Sequence, residues 1–471
     1  MRRAAMVLAV TLVAASGCSG DDGGKPAPAV SSSFSAGSDG AGDPYFPKYG
    51  NGGYDVAAYD LKVKFDPKTD QLTGTATITA TATQDLSSFN LDLSKLAVSA
   101  VTVDGAKATS AASGAELTIT PSGGIGRGRE FTTVVEYGGK PSRLANSTLG
   151  DGGWLETATG AIALGQPESA STWYPVNDHP SDKATWQLEM TVPSGLEAIS
   201  NGVQGPTRDA GGWTTWTWTE SSPMASYLSY VVIGQYRITT GTHGGKPMIT
   251  AVADSLPAGG PAAASIARTG EITDFLATKF GPYPFDANGG VVVDEQRIGY
   301  ALETQSRPVY GPSFFAGGEN ETVVAHELAH QWFGDSVALQ RWQDIWLNEG
   351  FATYAEWLWD EHEKVQTVEQ AFDDTYENYG WLQTPETTGD PGAGRIFGDA
   401  VYQRGGMTVY ALRKTIGDAA FDKLLKQWTA QHRDGNATTD ELIALAEQVS
   451  GKQLDAFFQK WLFEKAKPPK P

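Results

Sequence analysis

Two of the six histidines in this chain lie four positions apart, in the stretch HELAHQWFGD that spans residues 326–335. On an α-helix, positions i and i+4 share one face, so His326 and His330 can hold one ion between them. Glu327 follows the first histidine and lies beside such an ion rather than binding it. The alternative is a pair of helix-surface or core histidines bonded to backbone groups, because a His-Glu-x-x-His match alone is only suggestive.

A carboxylate follows at a spacing that suits the same site. Glu349 lies near the start of the helical segment WLNEGFATYAE, and the eighteen residues 331–348 separate it from His330. That length is enough for a loop and a return helix that presents the carboxylate to the two imidazoles. Two nitrogens and one oxygen leave a fourth tetrahedral position for water, as in a catalytic zinc site. The sequence therefore predicts one Zn²⁺ per chain.

This motif, followed by Asn-Glu-Gly, resembles the gluzincin aminopeptidases, the family of aminopeptidase N. The segment GQPESASTWYPVNDHPSDKATW, residues 165–186, is similar to the family's Gln-x-Glu segment before a Pro-x-x-Asp-x-Pro turn. The segment VYQRGGMTVYALR, residues 401–413, is similar to its Tyr-x-Lys-Gly-Gly segment. The resemblance covers most of residues 45–465. It implies a short bacterial form that lacks the large C-terminal helical domain of many members.

The resemblance also implies roles for individual side chains. Glu327 is the general base that takes a proton from water and passes it to the leaving amine. Tyr402 donates a hydrogen bond to the oxyanion as it forms. Glu356, two turns after Glu349 on the same helix face, orients a zinc-binding histidine. The alternative for Glu356 is a solvated carboxylate on a helix face.

An aminopeptidase recognises a free α-ammonium group, which has a pKa of about 8 and is mostly charged at pH 7. The resemblance assigns Glu168 and Glu303 to this group, with Gln166 beside the first residue of the substrate. The family's usual Gly-x-Met-Glu-Asn is replaced by YALET from Tyr300 to Thr304. The glutamate is kept, but the changed strand edge leaves the side-chain preference open.

Three functions remain in competition. The first is a zinc-dependent aminopeptidase acting on peptides with a free N-terminus. The second is a zinc endopeptidase with the same hydrolytic residues and no strict recognition of the amine. The third is a non-catalytic peptide-binding protein on the same fold, which would have no need of the base Glu327.

The elements that position these residues fall into two regions. Residues 45–240 contain short alternating segments such as LTGTATITATAT and FTTVVEY, which predict an antiparallel β domain. Residues 241–471 contain longer amphipathic segments punctuated by Gly or Asp, which predict a mainly helical region. The fold class is therefore α+β and multidomain, and the resemblance implies that the second domain is thermolysin-like.

The N-terminus predicts export. Arg2 and Arg3 precede an apolar run from Ala4 to Ala15, and Cys18 is the only cysteine of the chain. Residues 1–18 are typical of a lipoprotein signal peptide with lipidation at Cys18, and plain secretion is the alternative. Residues 19–44 predict a flexible linker from their Gly, Ser, Pro and Asp content. The net charge of −20 argues against a nucleic-acid partner. Association with a membrane is expected only through the lipid anchor.

Overall fold

The computed structural model describes residues 33–145 and 148–471. Within them the chain begins with strands β1 to β18, which are Ser35–Ala36, Tyr54–Asp66, Gln71–Ala82, Leu86–Asp92, Ala97–Val103, Ala106–Lys107, Thr109–Ser113, Glu116–Thr120, Glu130–Gly139, Arg143–Leu144, Gly152–Glu156, Ala161–Leu164, Ala184–Pro193, Glu197–Ser200, Val203–Gln204, Arg208–Ala210, Trp213–Met224 and Val231–Gly234. Short 3₁₀ helices lie at Ala170–Thr172 and Ser226–Leu228. The first region is therefore rich in β-structure, as the sequence predicts.

Helices dominate the second region. Helices α1 to α9 are Pro261–Ala267, Thr269–Phe280, Glu321–Ala329, Trp346–His362, Val368–Asn378, Asp399–Ile416, Asp418–Gln431, Thr439–Ser450 and Asp455–Phe458, and a π-helical turn follows at Gln459–Phe463. Strands β19 to β25 are Tyr236–His243, Lys246–Ala253, Asn288–Val292, Ala301–Leu302, Val309–Tyr310, Val337–Leu339 and Gly435–Ala437. Further 3₁₀ helices are Pro312–Phe315, Trp342–Asp344 and Ala393–Arg395. This order confirms the predicted fold class.

The long strands form because apolar side chains alternate with polar ones. In β2, Leu61 and Phe65 are buried, whereas Lys62 between them is exposed. The alternation changes phase after Val56, where a β-bulge against β3 inserts one extra residue. The part of the strand after the bulge therefore keeps its apolar side chains directed towards the core.

The largest sheet of the first region has the order β15-β17-β13-β2-β3-β9-β5-β6, with β16 paired to β17. Most of its pairs are antiparallel, but β2 and β13 run parallel, with Leu61 opposite Leu188. This pair departs from the predicted antiparallel arrangement, which the other pairs of the sheet follow. A parallel pair requires a long connection, and residues 67–183 provide one that local alternation does not reveal.

Another sheet leads from the first region into the second. Strands β19 to β23 form one sheet in the order β19-β20-β21-β23-β22. The domain boundary predicted at residue 240 stays a prediction. Strand β19, which contains residue 240, already belongs to this sheet. Helices α3, α4 and α6 follow and carry the polar residues predicted to do chemistry.

The flexible linker predicted for residues 19–44 needs a correction from residue 35 onwards. Ser35–Ala36 pairs with β4, and Asp43 is 3% exposed. The Asp43 carboxylate accepts hydrogen bonds from the backbone amide of Trp342 at 2.8 Å and from His179 Nε2 at 3.2 Å. A single buried carboxylate can anchor a segment that has no apolar core of its own, and composition does not reveal such an anchor.

The predicted signal peptide and Cys18 lie outside the described residues. Among the residues that the structure describes, no helix has the length and apolar character needed to cross a membrane.

Candidate active site and metal centre

The two histidines and the glutamate predicted as metal ligands meet in one buried cluster. Glu349 Oε2 lies 3.4 Å from His326 Nε2 and 3.3 Å from His330 Nε2. The three residues are at most 8% exposed. One atom of each lies within 4.8 Å of the others, which is close enough for all three to bind the same ion.

The hydrogen bonds of the imidazoles fix which nitrogen is available to a metal. His330 Nδ1 lies 3.0 Å from the Phe333 carbonyl oxygen, which can only accept, so this nitrogen carries the proton. His326 Nδ1 lies 2.5 Å from Glu356 Oε1. With Nδ1 of both rings bound to the protein, the Nε2 atom of each ring faces Glu349 and is the nitrogen left for a metal. Two such nitrogens and one carboxylate fit a single zinc ion.

The charge state of Glu349 also suits a ligand. Burial acts to raise the pKa of its carboxyl, but the imidazoles of His330 and His326 hold that pKa at about 2. Glu349 is therefore ionised at neutral pH, as a metal ligand must be.

Local sequence explains how the two ligand-bearing helices are placed. Helix α3 begins after Asn320, whose side chain accepts a hydrogen bond from the Val323 amide at 3.2 Å. The helix ends at Ala329, and the next residue, His330, keeps a helical conformation and donates from its amide to the His326 carbonyl. The two histidines thus stay one turn apart, as the spacing predicts.

Helices α4 and α6 approach each other through glycine. A Cβ built on Gly350 would lie 3.0 Å from the Cα of Gly405, so no other residue fits without moving a backbone. Glu349 precedes one of these glycines, and Tyr402 lies one turn before the other. The glycine contact, which we call the Gly350–Gly405 crossing, therefore sets the separation of Glu349 and Tyr402.

Glu327 and Tyr402 flank the ligand cluster. Burial raises the pKa of the Glu327 carboxyl to about 8, against the opposite effect of His326 and His330. The Tyr402 ring stacks on His326 with ring centroids 5.9 Å apart. Burial, followed by the charges of Glu349 and Glu303, raises the pKa of the Tyr402 phenol well above its ordinary value. The phenol therefore keeps its proton and can donate a hydrogen bond.

Glu303 and Gln166 lie together beside the cluster, and a Glu303 carboxylate oxygen is within 4.8 Å of side-chain atoms of Glu327 and His330. Glu303 is 2% exposed, and its Oε1 accepts hydrogen bonds from Tyr227 at 3.0 Å and from Gln166 Nε2 at 3.3 Å. Burial raises the pKa of Glu303, although His330 acts in the opposite sense. This carboxylate is a buried acceptor whose environment favours the approach of a cation.

The structure places Glu168 elsewhere. Its Oε1 accepts a hydrogen bond from Tyr49 at 2.9 Å, and it lines a separate cavity of about 420 Å³ together with Asp92 and Asp178. Burial, reinforced by Asp178, raises the pKa of Glu168 to about 7. Glu168 and Glu303 were expected to form one receptor for the α-ammonium group. Their carboxylates lie in different places, because the chain turns between Gln166 and Glu168.

Two polar residues near the cluster have no counterpart in the prediction. Tyr227 comes from a 3₁₀ helix at the end of the first region, far from Glu303 in sequence, and no local motif announces it. Gln331 donates from its side chain to the Glu303 carbonyl at 3.0 Å. Its position directly after His330 was the only available signal.

Comparison with known proteins agrees with this arrangement. The peptidase M1 N-terminal domain matches residues 56–228, and the peptidase family M1 domain matches residues 270–461. An M1 zinc metallopeptidase from Deinococcus radiodurans is 30% identical and superimposes with a TM-score of 0.84, covering 92% of this chain and 98% of that protein. The chain belongs to peptidase family M1.

Other M1 relatives are longer. A probable aminopeptidase 2 from Sulfurisphaera tokodaii is 27% identical over 62% of this chain, which spans 40% of that protein. Aminopeptidase N of Canis lupus familiaris is 32% identical over 41% of this chain and 21% of its own length. A mutant of the Deinococcus radiodurans M1 peptidase has been solved with a Tyr-Ser-Ala substrate and has a TM-score of 0.84 to this chain.

Proposed function

We propose that this protein is a zinc-dependent aminopeptidase that hydrolyses the first peptide bond of peptides with a free N-terminus. The observation that carries the proposal is the buried Glu303 carboxylate beside the His326, His330 and Glu349 cluster. An α-ammonium group pairs with such a carboxylate, and Gln166 and Tyr227 hold it in place. The aminopeptidase names of the M1 relatives support the same activity.

The side chains divide the chemistry between them. His326, His330 and Glu349 would hold a zinc ion, which would supply Lewis-acid chemistry and lower the pKa of a bound water to about 7. Glu327 accepts a proton from the attacking water and returns it to the leaving amine.

Tyr402 acts on the substrate oxygen. Its protonated phenol donates a hydrogen bond as negative charge develops on the carbonyl oxygen. A fixed donor contributes most at that stage, because the charge is greatest there. The Gly350–Gly405 crossing holds this phenol beside the metal ligands.

The experiment compares a free peptide with its N-acetylated form. Acetylation removes the ammonium charge and leaves Glu303 without a cation, so the free peptide should lose one residue at a time while the acetylated peptide is nearly inert. Glu303→Gln should lower kcat/KM for the free peptide by about a hundredfold or more, since losing one partner of a buried ion pair costs about 3–5 kcal/mol. Glu130→Gln, which changes an exposed carboxylate, is the matched control.

The same experiment separates the alternatives. Internal cleavage of acetylated peptides at comparable rates would make the protein a zinc endopeptidase. Peptide binding without cleavage of any substrate would make it a non-catalytic binding protein.

We also propose that the protein is exported and attached to the membrane by a lipid on Cys18, with secretion into the medium as the alternative. The support is the apolar run between Arg3 and Cys18 and the lack of any other cysteine. Metabolic labelling with a fatty acid should tag the wild type and not Cys18→Ser. Unlabelled protein found free in the medium would favour simple secretion.

A further inference from the structure

Tyr300 fixes a turn of the first region against the metal centre. Its hydroxyl donates to the Asp151 carbonyl oxygen at 3.0 Å, and its side chain is largely buried. Its ring lies against Gly150, where an added Cβ would be 3.3 Å from Tyr300 Cδ1. The turn places Leu149 in the wall of the active-site cleft.

The cleft has a volume of about 480 Å³ and two kinds of lining. His326, Glu327 and Tyr402 contribute its reactive side. The remaining wall is largely apolar and comes from Leu149, Tyr300, Ala301, Phe314 and Val323. A large apolar side chain would therefore find a matching surface a few ångströms from the reacting groups.

The position of Glu303 shows which part of a peptide enters this cleft. Among the described residues that line it, the strand segment contributes 299–301 and not Glu303. The Glu303 carboxylate lies within 4.8 Å of side-chain atoms of Glu327 and His330. It accepts hydrogen bonds from Gln166 and Tyr227, neither of which lines the cleft. A peptide whose amine pairs with Glu303 and whose first carbonyl lies at Glu327 therefore continues into the cleft with its second residue.

We propose that Leu149, held in place by Tyr300, makes the enzyme select for the second residue of its peptide, with preference for a large apolar side chain. This inference rests on the proposed aminopeptidase activity. Glu356 also lines the cleft, so an acidic second residue meets like charge there. Tyr300 acts in two ways, because its side chain lines the cleft and its hydroxyl holds the turn that carries Leu149.

The test uses tripeptides with fixed first and third residues and Leu, Gly or Asp in the second position. For the wild type, kcat/KM should be at least about tenfold higher with Leu than with Gly, because a single methylene in an apolar pocket is already worth about tenfold or more. It should be lowest with Asp. Leu149→Ala should bring the Leu to Gly ratio close to one, mainly through KM. Leu149→Met, which conserves volume, should keep most of the ratio.

Variants of Tyr300 test the positioning role. Tyr300→Phe keeps the ring but removes the hydrogen bond to Asp151, so it should lower the Leu to Gly ratio less than Tyr300→Gly does. Leu382→Ala, at a leucine that is 95% exposed and far along the chain, should leave the ratio unchanged. Circular dichroism on each variant checks that it is folded.

The outcomes separate this inference from the function on which it rests. If free peptides are cleaved from the N-terminus at rates that do not depend on the second residue, the inference is wrong and the aminopeptidase activity stands. An unchanged ratio in folded Leu149→Ala would also overturn it. If no peptide is cleaved, the proposed function fails and this inference fails with it.

Discussion

Removal of Glu356 should weaken zinc binding without removing a ligand. Its Oε1 lies 2.5 Å from His326 Nδ1, so it holds the ring with Nε2 towards Glu349 and makes the imidazole more basic. Loss of such a partner weakens metal binding by about 10–100-fold, or about 1.4–2.7 kcal/mol. The Glu356 side chain is 28% exposed, and water can replace part of its effect. We therefore expect the zinc Kd of Glu356→Ala to rise by about tenfold, at the lower end of that range.

The assay is competition for zinc against a chromogenic chelator at constant pH, with wild type and variants measured in parallel. Glu356→Gln keeps an acceptor for His326 but loses the charge, so its Kd should fall between those of the wild type and Glu356→Ala. Glu361→Gln, on the same helix, is the control and should bind zinc as the wild type does. A wild-type Kd in folded Glu356→Ala would show that the hydrogen bond does not act on the metal.

Three further predictions concern the other polar groups. Glu349→Ala should lose zinc, and metal analysis that finds full occupancy would contradict the ligand assignment. Glu327→Gln should keep zinc but lose most of kcat, and Tyr402→Phe should lower kcat more than it changes KM; near-normal turnover in either contradicts the assigned role. Asp43→Ala should lower the free energy of unfolding at pH 7 by about 3 kcal/mol, because buried donors lose their acceptor. Burial acts to raise the pKa of Asp43, but hydrogen bonds from His179 and backbone amides lower it. Its contribution to the free energy of unfolding is therefore fully present above the ordinary Asp pKa of about 4. The contribution is lost as the pH falls through the folded-state pKa, and urea unfolding at pH 7 and pH 3 should show the difference between variant and wild type shrinking.

The metal cluster was predictable because its geometry is local. His326 and His330 lie on one turn of helix, and the next helix brings Glu349 back after a short connection. The alternation of apolar residues likewise predicts β-structure in the first region, because each strand needs only its own sequence to establish which face is buried.

The features that were missed depend on contacts between distant segments. The parallel pairing of β2 with β13 joins strands more than a hundred residues apart, and the alternation within each strand is the same for either direction. Tyr227 reaches Glu303 from another region of the chain. Asp43 anchors its segment through Trp342 and His179, neither of which is near it in sequence.

The same distinction explains Glu168. A two-residue motif fixes how far apart Gln166 and Glu168 are along the chain but not the direction of each side chain. In the structure Gln166 bonds to Glu303, whereas Glu168 bonds to Tyr49. Tyr49 follows the segment that composition marked as a linker, so the sequence contained no sign of a competing partner.

The Gly350–Gly405 crossing has a consequence for how this enzyme can change. The two backbones touch, so the gap between the helices that carry Glu349 and Tyr402 has no side chain whose size could adjust it. Substitution at either glycine would shift the Tyr402 phenol and the Glu349 carboxylate together. Substitution at Leu149 or Tyr300 alters only the apolar wall of the cleft. Single substitutions in the apolar wall can therefore change which substrates are preferred without moving the groups that carry out the chemistry.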